Sequence, residues 1–148
     1  TVIEQSIEIV NQDPHFEQIA FEKNLCQSPS YVPDRGLAVV FHNLFKNAQH
    51  AMNGVGTIRV STQLQNGTVT VQVADTGPGI PESVRNRIFD PFFSTKSTED
   101  GTGIGLTICR EIIERSGGTI TCDNDHGKGA RFTITLPRNA RNAVPQKS

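Results

Sequence analysis

Hydrophobic residues recur along this chain with two different periods, and the switching between them lays out the elements. Ile3, Ile7 and Val10 fall at helical spacing at the start. Residues 15 to 25 then alternate, with Ile19, Phe21 and Leu25 set against Glu22, Lys23 and Asn24, which predicts a strand. A loop follows over 26 to 33, where two prolines fall, and Asp34 stands where it can cap a helix. From Leu37 to Met52 the apolar residues Val40, Phe41, Leu44, Phe45, Ala48 and Met52 keep one 3.6-residue stripe, which Gly54 ends. Residues 56 to 64 and 68 to 74 alternate on either side of Asn66-Gly67, a strong signal for a two-residue hairpin turn. Ile58, Val60, Val69, Val71 and Val73 therefore mark one face of a two-stranded unit.

The second half is less regular. Pro81 is a helix-start residue, and a short helix after it carries Val84, Ile88 and Phe89. Residues 90 to 103, DPFFSTKSTEDGTG, form a loop of a length that is usually functional or disordered. Helical spacing resumes from Ile104 to Ser116 through Leu106, Ile108, Cys109, Ile112 and Ile113, and stops at Gly117-Gly118. Two last strands, about 119 to 123 and 130 to 136, are joined by NDHGKG. The tail 138–148, RNARNAVPQKS, is too polar to bury and is expected to be disordered, which leaves 1–137 as the folded domain. No internal repeat occurs. Strands grouped in hairpins with helices interspersed favour an α+β fold, a two-layer α/β sandwich with one mixed, mostly antiparallel sheet and helices on one face.

Composition narrows the function classes. With 14 basic and 15 acidic residues in 148, a net charge of −1 and basic residues scattered along the chain, no electrostatic footprint for nucleic acid or an anionic membrane is present. No run approaches the roughly 18 apolar residues of a membrane span. Any anionic ligand must be held by local geometry. Cys26, Cys109 and Cys122 stand at unrelated spacings and no signal peptide opens the chain, which suggests a reducing cytosol and structural thiols. The chain begins at Thr1, already in an amphipathic pattern, and reads as a piece of a longer protein.

Three stretches carry candidate chemistry. In VADTGPGIP, Val73 to Pro81, Gly77 and Gly79 allow positive φ and close backbone approach while Pro78 and Pro81 stiffen the path. Asp75 is thereby presented at a strand end, where an ionised carboxylate suits a ligand edge that donates, such as the exocyclic amine of adenine. The alternative is an Asx-type turn that closes the hairpin. DGTGIGL, Asp100 to Leu106, ends a long loop and opens a helix, so the N–H groups of Gly103, Ile104 and Gly105 lie where phosphate binds readily, with Thr102 as a further donor. The spacing is neither the P-loop nor the dinucleotide fingerprint. On the helix 37–52, Asn43 and Asn47 lie four residues apart on one face, in a setting where asparagine is a poor helix former. Their carboxamide oxygens are hard, neutral ligands suited to a Mg²⁺ that keeps several waters and also binds phosphates. The alternative is a pair of solvated or capping amides.

NLFKNAQHAM, DTGPGIP, IFDPFFSTK, DGTGIGL and GKGARFTI occur in the order and approximate spacing of the ATP-binding catalytic domain of two-component sensor histidine kinases, which the chain resembles over about residues 1 to 137. The closest flavour is the nitrogen-regulation type, on N-A-x-x-A at Asn47 to Ala51 and the PFFSTK box. The resemblance implies the Bergerat (GHKL) fold and the cofactors ATP and Mg²⁺. It implies that Asp75 binds the adenine amine, that Gly77, Gly79 and Ile80 shape the base pocket, and that Asn47 ligates Mg²⁺ with Asn43 supporting the phosphates or metal waters. Phe89, Phe92 and Phe93 match the aromatic box at the root of a lid, with core packing as the plainer reading. Gly101, Thr102, Gly103, Ile104, Gly105 and Leu106 match the second glycine box and would line the triphosphate. Lys96 lies in the lid, where it reaches a terminal phosphate or is a solvated loop lysine. His50 falls where many relatives carry a basic residue, in contact with phosphate or as a partly buried surface histidine.

Two departures stand out. Related ATPases place a water-activating glutamate four residues before the metal-binding asparagine; this chain has Asn43, and an amide is no general base. That argues for transfer of the γ-phosphoryl group rather than its hydrolysis. Asp100 stands where the family often has a glycine and is expected to point to solvent. No H-E-x-x-x-P box surrounds His15, His42, His50 or His126, so the phosphoacceptor histidine is expected on separate dimerisation helices N-terminal to this domain. The expected partners are those helices and a response regulator, with no nucleic acid and no direct membrane contact, a monomeric fragment of a homodimeric parent, and a cytoplasmic domain whose parent is cytoplasmic or an inner-membrane sensor. The alternatives are an anti-sigma-factor-type serine kinase or other Bergerat ATPase, and a nucleotide-gated docking module without catalysis.

Overall fold

In the computed structural model, the elements run α1 (Val2–Val10), β1 (Gln18–Asn24), α2 (Leu37–Ala51), β2 (Val55–Gln65), β3 (Thr68–Asp75), α3 (Glu82–Arg85), α4 (Ile104–Arg115), β4 (Thr119–Asn124) and β5 (Ala130–Pro137). The structure describes residues 2–25, 36–85, 87–89, 104–124 and 129–137. The expected loop 26–33, the cap at Asp34, the loop 90–103 and the tail 138–148 lie outside them.

Where the elements differ from expectation, local chemistry gives the reason. The first strand begins at Gln18 rather than 15 because Asp13-Pro14 starts a 3₁₀ turn, Pro14–Phe16, in which the Asp13 carboxylate accepts the His15 N–H at 2.9 Å. The N-cap position of α2 is held by Gly36 at φ 82, with no side-chain cap. The helix after Pro81 is only four residues long, so Ile88 and Phe89 fall in the turn after it, although both are buried. Ile108, counted in the apolar stripe of α4, is exposed. The turn at Asn66 and Gly67 has φ 53 and φ 77, positive at both central positions as a type I′ hairpin requires.

The five strands form one sheet in the order β1-β2-β3-β5-β4. β1 is parallel to β2, and α2 supplies the crossover that a parallel pair needs; the remaining pairs are antiparallel. Val60 lies opposite Val73, and Val73 opposite Phe132, so the inward parity of each strand builds one apolar face. α2 lies on β2 and β3, α4 packs against α2 and β4, and α1 packs against α2. Leu37, Val40, Phe41, Leu44 and Phe45 of α2 are buried on this face, where Phe45 meets Phe21 edge-on at 5.1 Å between centroids. Truncating Phe45 to alanine removes contacts worth about 3–5 kcal/mol. This is the α+β sandwich expected from the sequence, and it fixes the strand ends of the sheet against the C-terminal end of α2.

Candidate functional site

Period two in β3 decides where Asp75 points. Val69, Val71 and Val73 face the helices, and Asp75 is the next residue of that parity, paired with Ile58 of β2 and only 9% exposed. A carboxylate so far from water needs hydrogen-bond donors. Its Oδ1 accepts the Gly77 N–H at 2.8 Å and the Ala130 N–H at 3.3 Å. The first of these bonds is the Asx turn considered in the sequence, so turn former and buried acceptor are one arrangement rather than rivals.

The residues around Asp75 leave little slack. Gly79 is left-handed at φ 85, whereas Gly77 shows no positive φ and is required for space: a Cβ there would stand 3.1 Å from Asp75 Oδ1 and 3.3 Å from both the Ala51 carbonyl and Met52 Cγ. Thr76 tacks the turn to two other elements, since its hydroxyl accepts the Thr57 N–H at 3.1 Å and donates to Met52 Sδ at 3.3 Å. Ile80 packs on the core, and its backbone is held on both sides by Asn124, which donates to its carbonyl at 3.0 Å and accepts its N–H at 2.9 Å. At Gly129 a Cβ would collide with the main-chain carbonyl of Asp75.

Gly129 and Asn124 are the residues that sequence reasoning missed. Strand parity offered a signal for Asn124 alone. Ile120, Cys122 and Asn124 share one parity of β4, so Asn124 is the polar member at the end of an inward series. Gly129 belongs to the GKGARFTI stretch, and only the antiparallel pairing of β3 with β5 brings it to Asp75.

The contacts at Gly77 place the end of α2 beside the Asp75 turn. Asn47 is one turn back from Ala51 and Asn43 two turns back, all half-buried, so the stripe runs about 12 Å along the helix from the Asp75 turn. At its far end Asn43 hydrogen-bonds Cys109 of α4. Ile104 and Gly105 open that helix about 7 Å before Cys109, so the α4 N-terminus and the amide stripe converge. Half-buried Leu106 packs on the core from the first turn of α4, and His50 is half-buried in the last turn of α2. Phe89 is buried against Phe132 in an edge-on pair at 6.3 Å, under the Arg110 guanidinium at 5.8 Å, and its carbonyl accepts the Thr107 hydroxyl at 2.9 Å. It acts as a core anchor that ties the turn after α3 to α4. Phe92, Phe93, Lys96, Asp100, Gly101, Thr102 and Gly103 lie outside the described residues.

Electrostatics near the site keep its thiols neutral. Burial pushes the Cys109 thiol up to about 12, against the Asn43 hydrogen bond. Burial, with the Asp123 charge second, pushes Cys122 up to about 12 as well. Asp123 is held below the usual carboxylate range by the hydrogen bonds of Arg131, at 3.1 and 2.9 Å. Among the described residues no group of three or more His, Cys, Asp or Glu side chains is placed to hold a metal ion. The donor set on α2 is instead amide oxygen, which fits a cation that keeps most of its water.

The fold thus brings a buried strand-end acceptor, a glycine-walled turn and a helix stripe of amides next to one another. The chain belongs to the Histidine kinase-, DNA gyrase B-, and HSP90-like ATPase family, whose profile matches residues 33–140. It is 41% identical to the sensor histidine kinase ZraS of Klebsiella oxytoca over 145 residues, 95% of this chain and 30% of that protein. With ZraS of Escherichia coli K12 the identity is 36% over 149 residues, 99% of this chain and 31% of that protein. The chain thus spans about a third of the length of these curated relatives. The nucleotide-free catalytic domain of the histidine kinase ThkA matches with a TM-score of 0.82 and 32% identity, covering 95% of this chain and 92% of that one. ThkA in complex with the response regulator TrrA matches with a TM-score of 0.77 and 26% identity, covering 95% of this chain and 40% of that one. The sheet order and helix layer described above are the Bergerat sandwich of these histidine kinase catalytic domains.

Proposed function

We propose that residues 1–137 are the ATP-binding catalytic domain of a sensor histidine kinase, which binds Mg-ATP and donates its γ-phosphoryl group to a histidine on a separate phosphoacceptor segment. The observation that carries this reading is Asp75: an inward-facing carboxylate at the end of β3, 9% exposed and fixed by two backbone N–H groups, which suits an adenine amine as donor. Asn47 would hold Mg²⁺ through its carboxamide oxygen, Asn43 would support the phosphates, and Ile104 and Gly105 would offer helix N-terminal N–H groups. Gly101, Thr102, Gly103 and Lys96 belong to the same reading from sequence, as does a phosphate contact by His50. When bound, Mg²⁺ supplies charge neutralisation at the phosphates.

The step is phosphoryl transfer: a histidine ring nitrogen forms a bond to the γ-phosphorus as the bond to the ADP oxygen breaks. Catalysis of this kind needs positioning and electrostatics rather than covalent chemistry by the domain. Asn43, an amide where a general base would activate water, is consistent with transfer. A phosphoacceptor helix pair that dimerises the parent and a response regulator complete the pathway, as ThkA is paired with a response regulator. Among the described residues no helix is long and apolar enough to cross a membrane; we place this domain in the cytoplasm.

The test is calorimetric titration of the 148-residue chain with ADP and a non-hydrolysable ATP analogue, with and without Mg²⁺, beside Asp75→Asn. Binding to wild type that is lost in Asp75→Asn is expected; a folded wild-type chain that binds neither nucleotide refutes the proposal. In an N-terminally extended chain, phosphate is expected on histidine and abolished by Asn47→Asp. Phosphate on serine of a separate protein would contradict the histidine-kinase assignment.

A further inference from the structure

The loop that follows Asp75 is held by a side chain 44 residues further along. Asn124 ends β4, and its carboxamide meets the Ile80 backbone at two points, accepting from the N–H at 2.9 Å and donating to the carbonyl at 3.0 Å. A planar amide with one donor and one acceptor reproduces what a neighbouring strand would offer that residue. Asn124 is itself paired with Ala130 of β5, and Ala130 N–H is the group that reaches Asp75 Oδ1 at 3.3 Å. The β4–β5 pair therefore grips both ends of the Asp75–Ile80 segment, Asp75 through Ala130 and Ile80 through Asn124. Between the two grips lies Gly79 at φ 85, the flexible point of the segment.

We propose that Asn124 is a positioning residue for the base end of the nucleotide: it sets the Gly77–Ile80 loop relative to the Asp75 carboxylate, and so sets nucleotide affinity, by acting through Ile80. This inference rests on the nucleotide-binding reading given above. Both hydrogen bonds join the protein's own groups and use no ligand atom, so they preorganise the loop and less order has to be gained on binding. Alanine at 124 removes both bonds, and serine can make only one of them at a time.

The experiment measures the Kd of the full chain for ADP and for adenosine, well below the unfolding midpoint, in wild type, Asn124→Ala, Asn124→Ser, Thr121→Ala and Asp75→Asn. Thr121→Ala changes an exposed residue of the same strand and is expected to leave both constants unchanged. Asn124→Ala is expected to raise Kd about tenfold for ADP and by the same factor for adenosine, because the effect resides at the base end. Asn124→Ser is expected to fall in between. A stabilising role alone would lower the unfolding midpoint without moving Kd in samples that are fully folded. Unchanged Kd values in folded Asn124 variants, beside an Asp75→Asn chain that no longer binds, overturn the role of Asn124 and leave the nucleotide reading intact. Failure of wild type to bind ADP overturns both. If Asn124→Ala does not fold, Asn124→Ser decides by the same criterion. If neither variant folds, slowed amide exchange at Ile80 in wild type that slows further with ADP supports the clamp, and exchange at open-loop rates refutes it.

Discussion

Gly129→Ala tests how the floor of the site is built. A methyl group on Gly129 would collide with the main-chain oxygen of Asp75 and stand 2.6 Å from both its carbonyl carbon and Oδ1. These neighbours are strand backbone and a tethered carboxylate, which cannot swing aside as the end of a long side chain can, so β3 and β5 must part at this end. Overpacking a tight interior costs about 1–3 kcal/mol, and with backbone on both sides the upper figure applies. Separation also breaks the Ala130 N–H bond to Asp75 Oδ1, at 3.3 Å the longer of the two, a loss of about 1 kcal/mol. The sum is about 4 kcal/mol. Unfolding entropy of about 2.1 cal/mol/K per residue then puts the fall in Tm at roughly 13 °C for this chain. The assay is thermal unfolding followed by circular dichroism, beside Gly67→Ala. At Gly67 a Cβ meets nothing within 4 Å and only the left-handed φ of 77 opposes it, a strain of about 1 kcal/mol or roughly 3 °C. A Gly129→Ala midpoint that falls no further than that of Gly67→Ala would show that the strand ends yield readily, and would refute a rigid floor beneath Asp75.

The thiols and one surface pair give two further expectations. With Cys26 replaced by serine, Cys109 and Cys122, both pushed up to about 12, are expected to alkylate at pH 8 only as fast as the chain opens; rapid labelling of the native protein would refute this. Because the unfolded thiols ionise near 9, their contribution to stability is complete below that pH and is lost as pH rises toward about 12, so the urea midpoint should fall over that window and fall less in Cys122→Val. Asp123, held low by Arg131, contributes above its unfolded pKa of about 4 and loses that contribution as pH falls through its lower folded value. Arg131→Met should therefore cost at most about 1 kcal/mol at pH 7 for this partly exposed pair, and the difference from wild type should vanish in acid; a gap that persists at pH 2 would rule out the ion pair as its cause.

How much was legible in the sequence depended on whether the signal was local. The hairpin at Asn66-Gly67 was readable because a type I′ turn demands positive φ at two adjacent residues, and few residue types accept it. The burial of Phe41, Leu44 and Phe45 was readable from a 3.6-residue stripe. Gly129 was not, because its constraint is a collision with Asp75 across a strand pair, and no periodicity in either strand encodes that partner. Asn124 was half legible: parity turned it inward, but nothing in sequence linked it to Ile80. The start of β1 was misjudged where the alternation was read from residue 15, because the turn that Asp13-Pro14 starts runs on to Phe16 and overrides the pattern. Phe89 was correctly seen as open to core packing, and the edge-on contact with Phe132 decides for it.

The setting of α2 explains why it carries asparagine at two interior positions where propensity disfavours it by about half a kcal/mol each. One side of the helix is committed to the core by Leu37, Phe41 and Leu44, and the adjoining edge is only half-buried at Asn43, Asn47 and Ala51. A residue on that edge sees the core on one side and the open site on the other, so an apolar side chain would be left partly wet and a charged one partly dry. A neutral amide meets both conditions, and its oxygen remains able to face a cation or bound water. Asn43 is further restrained by its hydrogen bond with Cys109, which runs from the Asn43 amide N–H to the sulfur, while the thiol, kept protonated by burial, donates to the Val40 carbonyl at 3.9 Å. On the proposed reading this is how a phosphate-bearing site stays polar along α2 without placing a base beside the γ-phosphorus, so that the phosphoryl group waits for a histidine from elsewhere rather than for water.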